Sequence, residues 1–144
     1  MKGMLGAAVL AASAWSIASA AAAEIPNLLG EWSGTADAVV IGSGGYRPGT
    51  QTLKDPPFTE ERVFNYSIKG QDGRRFWGEI KSGDRTEPLA GALSLDGKTA
   101  YGADTDGHFH FTVRSAGEME LCYTQAAISP DNQIVATCFL ITRK

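Results

Sequence analysis

Residues 62–81 have the sequence RVFNYSIKGQDGRRFWGEIK, which contains the clearest pattern for secondary structure in the chain. Before the turn, Phe64, Tyr66 and Ile68 alternate with smaller or polar residues. A period of two predicts a β-strand with one buried and one solvated face, as antiparallel sheets have. Asp72-Gly73 lies between two such segments, which is the strongest short-range signal for a hairpin. The stretch therefore predicts two antiparallel strands joined by a tight turn.

Turn signals of the same kind recur at regular intervals along the chain. They are Gly83-Asp84, Asp96-Gly97, Asp106-Gly107, Ala116-Gly117 and Pro130-Asp131. The segments between the turns predict strands over Leu29 to Ile41, Arg62 to Lys69, Arg74 to Lys81, Pro88 to Leu95, Thr99 to Ala103, His108 to Ser115, Glu118 to Ala126 and Gln133 to Thr142. Such a meander would expose two sheet edges unless its first and last strands pair. We therefore expect an all-β protein, an eight-stranded antiparallel up-and-down barrel.

The first 23 residues differ in composition from the rest of the chain. Lys2 is their only charged residue, an uncharged run from Met4 to Ala23 follows, and it ends in small residues before Glu24. This arrangement is typical of a cleaved secretory signal peptide. We expect residues 24–144 to form one β-barrel domain that is periplasmic or secreted and has no membrane span in its mature form.

The charge balance is mildly acidic. The chain has 13 Lys and Arg against 16 Asp and Glu, a formal net charge of −3. Loss of Lys2 with the signal peptide makes the mature part slightly more acidic. Such a balance gives no electrostatic reason to bind nucleic acid, so we expect no nucleic-acid partner.

Cys122 and Cys138 are the two cysteines of the chain. In an exported domain they predict one disulfide, because the compartment is oxidising. A turn at Ser129 to Asn132 lies midway between them, so they should face each other across the last hairpin. Cys122 also alternates with the inward positions of its strand and shares a side with Glu120. We expect a structural bridge on the outer face.

The two ends of the predicted barrel resemble those of a known superfamily. Leu29-Gly30-Glu31-Trp32 resembles the Gly-x-Trp that opens the barrel of the calycins, which include the avidins and lipocalins, and Thr137 to Arg143 is similar to their closing strand. The resemblance implies that Arg143 packs over Trp32 in a cation–π contact. The biotin-binding residues of avidins are not matched, because Gly34 and Ala38 stand at those positions.

Two features indicate room for a small ligand at the open end of the barrel. The inward face of the first strand is mostly small after Trp32, and a barrel of this size holds packed side chains or one small ligand. The segment from Gly42 to Thr59 is too long for a turn, and such loops are either functional lids or disordered links. The candidate ligand-binding residues are Trp32, Tyr46, Phe64, Tyr66, Phe76 and Tyr101.

Residues for catalysis or metal binding form no recognisable pattern. The sequence contains no Gly-x-Ser-x-Gly and no His-Glu-x-x-His motif. His108 and His110 point to the same side of a strand whose other side belongs to the core, so we expect them to face water. Glu79 and Glu87 are interpreted as solvated strand positions. We expect no catalytic residue, no metal site and no cofactor.

Trp77, Ile134 and Leu140 are apolar, yet alternation places them on the outer face. Outward apolar residues on barrel strands indicate a contact surface, for another protein or for a homo-oligomer. The leading hypothesis is a non-enzymatic protein that binds a small apolar or amphipathic ligand at the open end of the barrel. The alternative is a protein-interaction module, such as an inhibitor of a secreted protease or a subunit of an envelope assembly.

Overall fold

The computed structural model describes residues 24–127 and 132–144. The strands are β1 (Gly30–Ser43), β2 (Phe58–Asp72), β3 (Arg75–Ser82), β4 (Arg85–Leu93), β5 (Thr99–Ala103), β6 (His108–Ser115), β7 (Glu118–Gln125) and β8 (Asn132–Arg143). Strands that follow each other in the chain pair antiparallel, and β1 also pairs with β8. The sheet therefore closes into the predicted eight-stranded up-and-down barrel, and closure removes the edges that an open meander would expose.

The largest departure from the predicted strand bounds lies between β1 and β2. The second strand begins at Phe58 rather than Arg62, because residues 58–61 pair with residues 37–40 of β1. The first strand continues to Ser43, since residues 41–43 pair with β8. Pairing on both sides thus extends the strands into a segment whose Gly and Pro content predicted a loop.

The tight turns are located where the sequence predicts them. Gly73 and Gly83 have φ values of +56° and +59°. A left-handed backbone is strained for residues with a Cβ, so glycine at these positions favours the hairpin geometry. Residues 129–131 of the turn predicted at Ser129 to Asn132 lie outside the described residues, and Asn132 begins β8.

The inward faces of the strands form one continuous core. Its largest fully buried members include Trp32, Phe76, Phe111, Met119 and Leu121. Alternation therefore assigns the buried face correctly in β1, β3, β6 and β7. The core fills the half of the barrel that contains Trp32, which we call the Trp32 end.

A short N-terminal segment closes the Trp32 end. Leu28 of this segment is buried, and its carbonyl accepts a hydrogen bond from Trp32 Nε1 at 2.9 Å. Gln71 fastens the segment to β2, since it accepts from the Leu28 N–H at 2.8 Å and donates to the Pro26 carbonyl at 2.9 Å. The segment therefore closes the interior of the barrel at this end, and it borders a groove that is open to solvent beside Trp32 and Arg143.

The outer face carries the disulfide. Cys122 and Cys138 are directly paired across β7 and β8 and are bonded to each other. Trp77, Ile134 and Leu140 are each 43–50% exposed on the same outer side of the sheet. The predicted bridge and the outward direction of these apolar residues are confirmed. Within the described residues, the chain forms no helix long and apolar enough to cross a membrane.

Candidate functional site

The end of the barrel opposite Trp32 is covered by a turn of the β1–β2 loop. Gly44 and Arg47 exchange two backbone hydrogen bonds of 3.0 Å each, which close a tight turn. This turn directs Tyr46 and Arg47 toward the barrel, and each is only 8% exposed. The segment predicted as a lid or a disordered link thus includes an ordered turn that caps this end, which we call the capped end.

Two contacts hold the Tyr46 ring in place. Its edge meets Phe64 with ring centres 5.6 Å apart, in a T-shaped arrangement that aromatic pairs favour. The guanidinium of Arg85 lies 4.6 Å from the centre of the Tyr46 ring, within the range of a cation–π interaction. The neighbouring Arg47 forms an ion pair with Glu60 at the start of β2. The cap is therefore fixed by side-chain contacts to β2 and β4.

A small cavity lies beneath the cap. Its volume is about 20 Å³, counted as the space open to the centres of water molecules, which is enough for about one water. Most of its wall is aromatic or aliphatic. The lining residues are Tyr46, Arg47, Phe64, Tyr66, Ile80, Asp104, Tyr123, Gln125, Val135, Thr137 and Phe139.

Asp104 provides the carboxylate of the cavity wall. It follows β5, and its Oδ1 accepts hydrogen bonds from the backbone N–H groups of Asp106 (3.2 Å) and Gly107 (2.8 Å). These two bonds fix the β5–β6 turn that the sequence predicts at Asp106-Gly107. Burial raises the pKa of Asp104 above its ordinary value, although the two backbone donors oppose this shift.

Asp104 belongs to a group of three carboxylates. One oxygen each of Glu87, Asp104 and Asp106 lies within 4.8 Å of the others. Arg85 binds this group, because it donates to Glu87 through Nε at 2.8 Å and lies 3.7 Å from Asp106 Oδ2. The Tyr123 hydroxyl donates to Asp106 at 2.8 Å. The charge of the acidic group is thus partly neutralised by Arg85.

The tyrosine hydroxyls near these carboxylates are held in their neutral form. Burial is the largest cause that raises the pKa of Tyr46, Tyr66 and Tyr123, and the Asp104 carboxylate adds to the shift in each. A neutral hydroxyl can both donate and accept a hydrogen bond. The capped end therefore presents hydroxyl and carboxylate groups beside aromatic rings.

Two buried amides complete the polar side of the capped end. Gln133 Nε2 donates to Gln125 Oε1 at 2.6 Å, and both residues are almost fully buried. The remaining amide atoms, Gln125 Nε2 and Gln133 Oε1, are buried without a hydrogen-bond partner. Rotating both amides would reverse the direction of this bond, so Gln125 can present either a donor or an acceptor to the cavity.

The structure brings together three of the candidate ligand-binding residues and places the others elsewhere. Tyr46, Phe64 and Tyr66 line the cavity. Trp32 and Phe76 are packed in the core toward the Trp32 end, and each is 1% exposed. Tyr101 is 63% exposed on the outer face of β5, where it stacks on His110 with ring centres 4.7 Å apart.

Sequence reasoning missed the polar part of this site. Glu87, interpreted as a solvated strand position, is 4% exposed and points inward. Its burial follows from parity, because Arg85, Glu87, Leu89 and Leu93 occupy alternate positions of one strand and the leucines are in the core. The pair Arg85-x-Glu87 before Leu89 was the available signal. Glu79, in contrast, is half-exposed and pairs with Lys69 at 2.6 Å.

The space expected from the small residues of β1 is partly filled by backbone. At Gly34 an added Cβ would lie 2.2 Å from the carbonyl oxygen of Leu140 in β8. The glycine therefore permits close approach of β1 and β8 where the barrel closes. Small inward residues at this position do not indicate a cavity.

No protein-family model, curated protein or solved structure matches this chain. The likeness to the calycins is therefore one of architecture, an eight-stranded antiparallel barrel with Arg143 over Trp32.

Proposed function

We propose that this protein is an exported, non-enzymatic barrel that binds a small amphipathic ligand at the capped end. One observation carries the proposal: the cavity beneath the Tyr46 turn is lined mostly by aromatic and aliphatic side chains, together with the polar groups of Asp104 and Gln125. Ligand sites are concave, mostly apolar and equipped with a few polar groups that orient the ligand. The Trp32 end has wider grooves, beside Arg143 and beside Arg74, but these are more open to solvent and the interior of the barrel there is packed.

The size of the cavity sets how the ligand is held. Space for about one water accommodates only the head of a ligand. The remainder would pass between the strand ends and the turn that bears Tyr46 and Arg47. This turn is fastened mainly by side chains, namely the Tyr46 contacts to Phe64 and Arg85 and the Arg47 pair with Glu60. In our proposal the turn opens as a lid and closes over the bound head.

The proposed assignment to the calycins rests on two features. The strand order of the barrel and the Arg143 contact with Trp32 both support it. The signal-like residues 1–23 and the disulfide support export to a periplasmic or extracellular compartment.

Native mass spectrometry of the protein purified from its own host tests ligand binding. We expect a mass above that of the polypeptide under native conditions and the polypeptide mass alone after denaturation. Val135→Phe fills the cavity and should remove the additional mass. Ile134→Phe, at the adjacent outward position, should retain it. Both variants must give the wild-type circular dichroism spectrum, and equal retention of the ligand in both would refute the proposal.

A second candidate function is a protein-interaction module that uses the outer face where β1 pairs with β8. Val39, Ile134 and Leu140 are each 43–46% exposed there, with the small Ala136 between the two β8 residues. Light scattering during gel filtration tests the homo-oligomer, and pull-down from periplasmic extract tests a partner protein. A monomer that captures no partner would remove this candidate, whereas a complex disrupted by Leu140→Lys would support it.

A further inference from the structure

We infer that the ligand is an organic cation whose ammonium head lies against Asp104, surrounded by the aromatic rings of the cavity. This inference rests on the proposed function, because it assigns the ligand class of the same site. The aromatic lining, the ion pairs around the cavity and the cavity size support it.

The aromatic composition of the wall favours a cation. Five rings line the cavity, and they belong to Tyr46, Phe64, Tyr66, Tyr123 and Phe139. The faces of such rings carry negative electrostatic potential, and clusters of them bind ammonium groups. Tyr46 already holds a cation in this way, since the Arg85 guanidinium lies over its ring. The walls thus suit a ligand with a positively charged head and an apolar substituent better than a ligand with an anionic head.

Within the group of Glu87, Asp104 and Asp106, only Asp104 forms no ion pair in the described part of the chain. Arg47 and Arg62 both pair with Glu60, and Arg85 pairs with Glu87 and Asp106. Among the described residues, no lysine, arginine or histidine forms an ion pair with Asp104. Its Oδ1 accepts hydrogen bonds from two backbone N–H groups, and its carboxyl group also shares a hydrogen bond with the Asp106 side chain. Asp104 lines the cavity and is half-buried, and a carboxylate in such surroundings favours a positive ligand.

The size of the cavity is compatible with an ammonium group. An ammonium head is similar in size to a water molecule, and the cavity admits about one water. The hydroxyls of Tyr46 and Tyr66 and the rotatable Gln125 amide would accept its remaining hydrogen bonds. Arg47 also lines the wall, but its charge is compensated by Glu60.

Isothermal titration with three probes of equal length tests the inference. The probes are n-butylammonium, 1-butanol and butyrate at pH 7. We expect n-butylammonium to bind at least tenfold more tightly than 1-butanol, and butyrate to bind most weakly. Equal binding of amine and alcohol, or tightest binding of butyrate, would overturn the cation and leave the proposed binding function intact.

Matched variants test which residues recognise the ammonium group. Asp104→Asn keeps the Oδ1 acceptor of the turn and should abolish the preference for n-butylammonium over 1-butanol. Asp96→Asn is the control, because Asp96 also accepts a backbone N–H, from Lys98 at 3.0 Å, in a turn toward the Trp32 end. Phe64→Leu, which keeps an apolar wall without a ring, should weaken the amine more than the alcohol. A preference that survives Asp104→Asn would refute the assignment.

The two proposals fail in distinguishable ways. If no probe binds but the protein carries a ligand from its host, the cation inference is wrong and the binding function stands. If no probe binds and no ligand is carried, the binding function is lost together with the inference.

Discussion

The guanidinium of Arg143 lies 4.3 Å from the centre of the Trp32 ring, and it closes the Trp32 end of the barrel. The same side chain donates hydrogen bonds to the carbonyls of Ala116 at 3.0 Å and Asn27 at 2.7 Å, and also to that of Leu29. One residue of β8 thus joins the N-terminal segment, β1 and the β6–β7 turn. The contact predicted from the calycin resemblance is confirmed.

Arg143→Met should destabilise the fold by about 2 kcal/mol, because it removes the cation–π contact and charge-assisted bonds to three carbonyls. The free energy of unfolding in urea measures this loss. Lys144→Met is the matched control, since the Lys144 ammonium makes one exposed hydrogen bond, to Asn65 at 2.6 Å. An equal loss in both variants would show that Arg143 does not fasten this end.

Replacing Cys122 and Cys138 together by serine should lower the free energy of unfolding by about 3 kcal/mol, the value that chain entropy predicts for a loop of this length. The two cysteines are 16 residues apart. Because the bridge lies on the outer face, ligand binding at the capped end should be unaffected. Urea unfolding of wild type with and without reductant provides the comparison. A lost ligand in a folded double variant would contradict a purely structural role.

Arg85→Met should cost about 2 kcal/mol, less than the ~3–5 kcal/mol typical of breaking a fully buried pair, because Arg85 is about one-third exposed. It would leave the buried Glu87 carboxylate without its guanidinium. The double variant Arg85→Met with Glu87→Met should recover most of the loss. Thermal unfolding of Arg85→Met, Glu87→Met and the double variant completes the double-mutant cycle. Additive losses of stability would show that the two residues do not interact.

Asp104→Asn should make the ligand-free protein more stable at pH 7. Burial raises the pKa of Asp104, so the folded protein binds this proton more tightly than the unfolded chain does. Its contribution to stability therefore falls as the pH rises from the ordinary value of 3.8 through the folded-state pKa. The advantage of the variant should vanish below that ordinary value. The titratable and charged groups near Asp104 are Tyr46, Tyr66, Arg85, Glu87, Asp106 and Tyr123.

Asp96→Asn should show the opposite sign. Hydrogen bonds from Ser94 and Lys98 lower the pKa of Asp96, so its ionised form stabilises the fold above the ordinary pKa and loses this effect as the pH falls. Urea unfolding of both variants from pH 3 to pH 7 separates the two cases. If Asp104→Asn were destabilising at pH 7, the buried carboxylate would not be a cost to the fold.

Expression of the full chain in a bacterial host should yield a mature protein that begins near Glu24, because the small residues before it match a signal-peptidase site. Intact mass of the periplasmic fraction measures the cleavage. Ala21→Pro together with Ala23→Pro should block it and retain the precursor. A full-length product found only in the cytoplasm would remove the proposal of export.

Local patterns predicted most of the barrel because each depends on neighbouring residues alone. Period-two alternation assigned the inward face of β3, and Asp72-Gly73 located its hairpin. The distance between Cys122 and Cys138 around a central turn predicted their pairing. The polarity of Glu87 predicts that it faces solvent. This prediction is wrong, because Glu87 lies two residues before the inward Leu89 on the same strand, and this parity directs its side chain inward.

The candidate site was predicted only in part. Tyr46, Phe64 and Tyr66 were named from their aromatic character, but Trp32 and Phe76 share that character and lie in the packed core. Aromatic residues serve equally as core and as ligand wall, so composition does not distinguish these roles. Depth along the barrel distinguishes them, and it depends on the register of all the strands.

Alternation and turn chemistry act over a few residues, so the amino-acid pattern predicts the strands, their turns, most inward and outward faces and the disulfide. The cavity that Tyr46 of the first loop shares with Asp104 of the β5–β6 turn forms only in the folded barrel. Closure of β1 on β8 fixes which strand ends meet, and the packing of the Trp32 end leaves space at the other. A cavity depends on contacts between segments far apart in the chain, which no local pattern records.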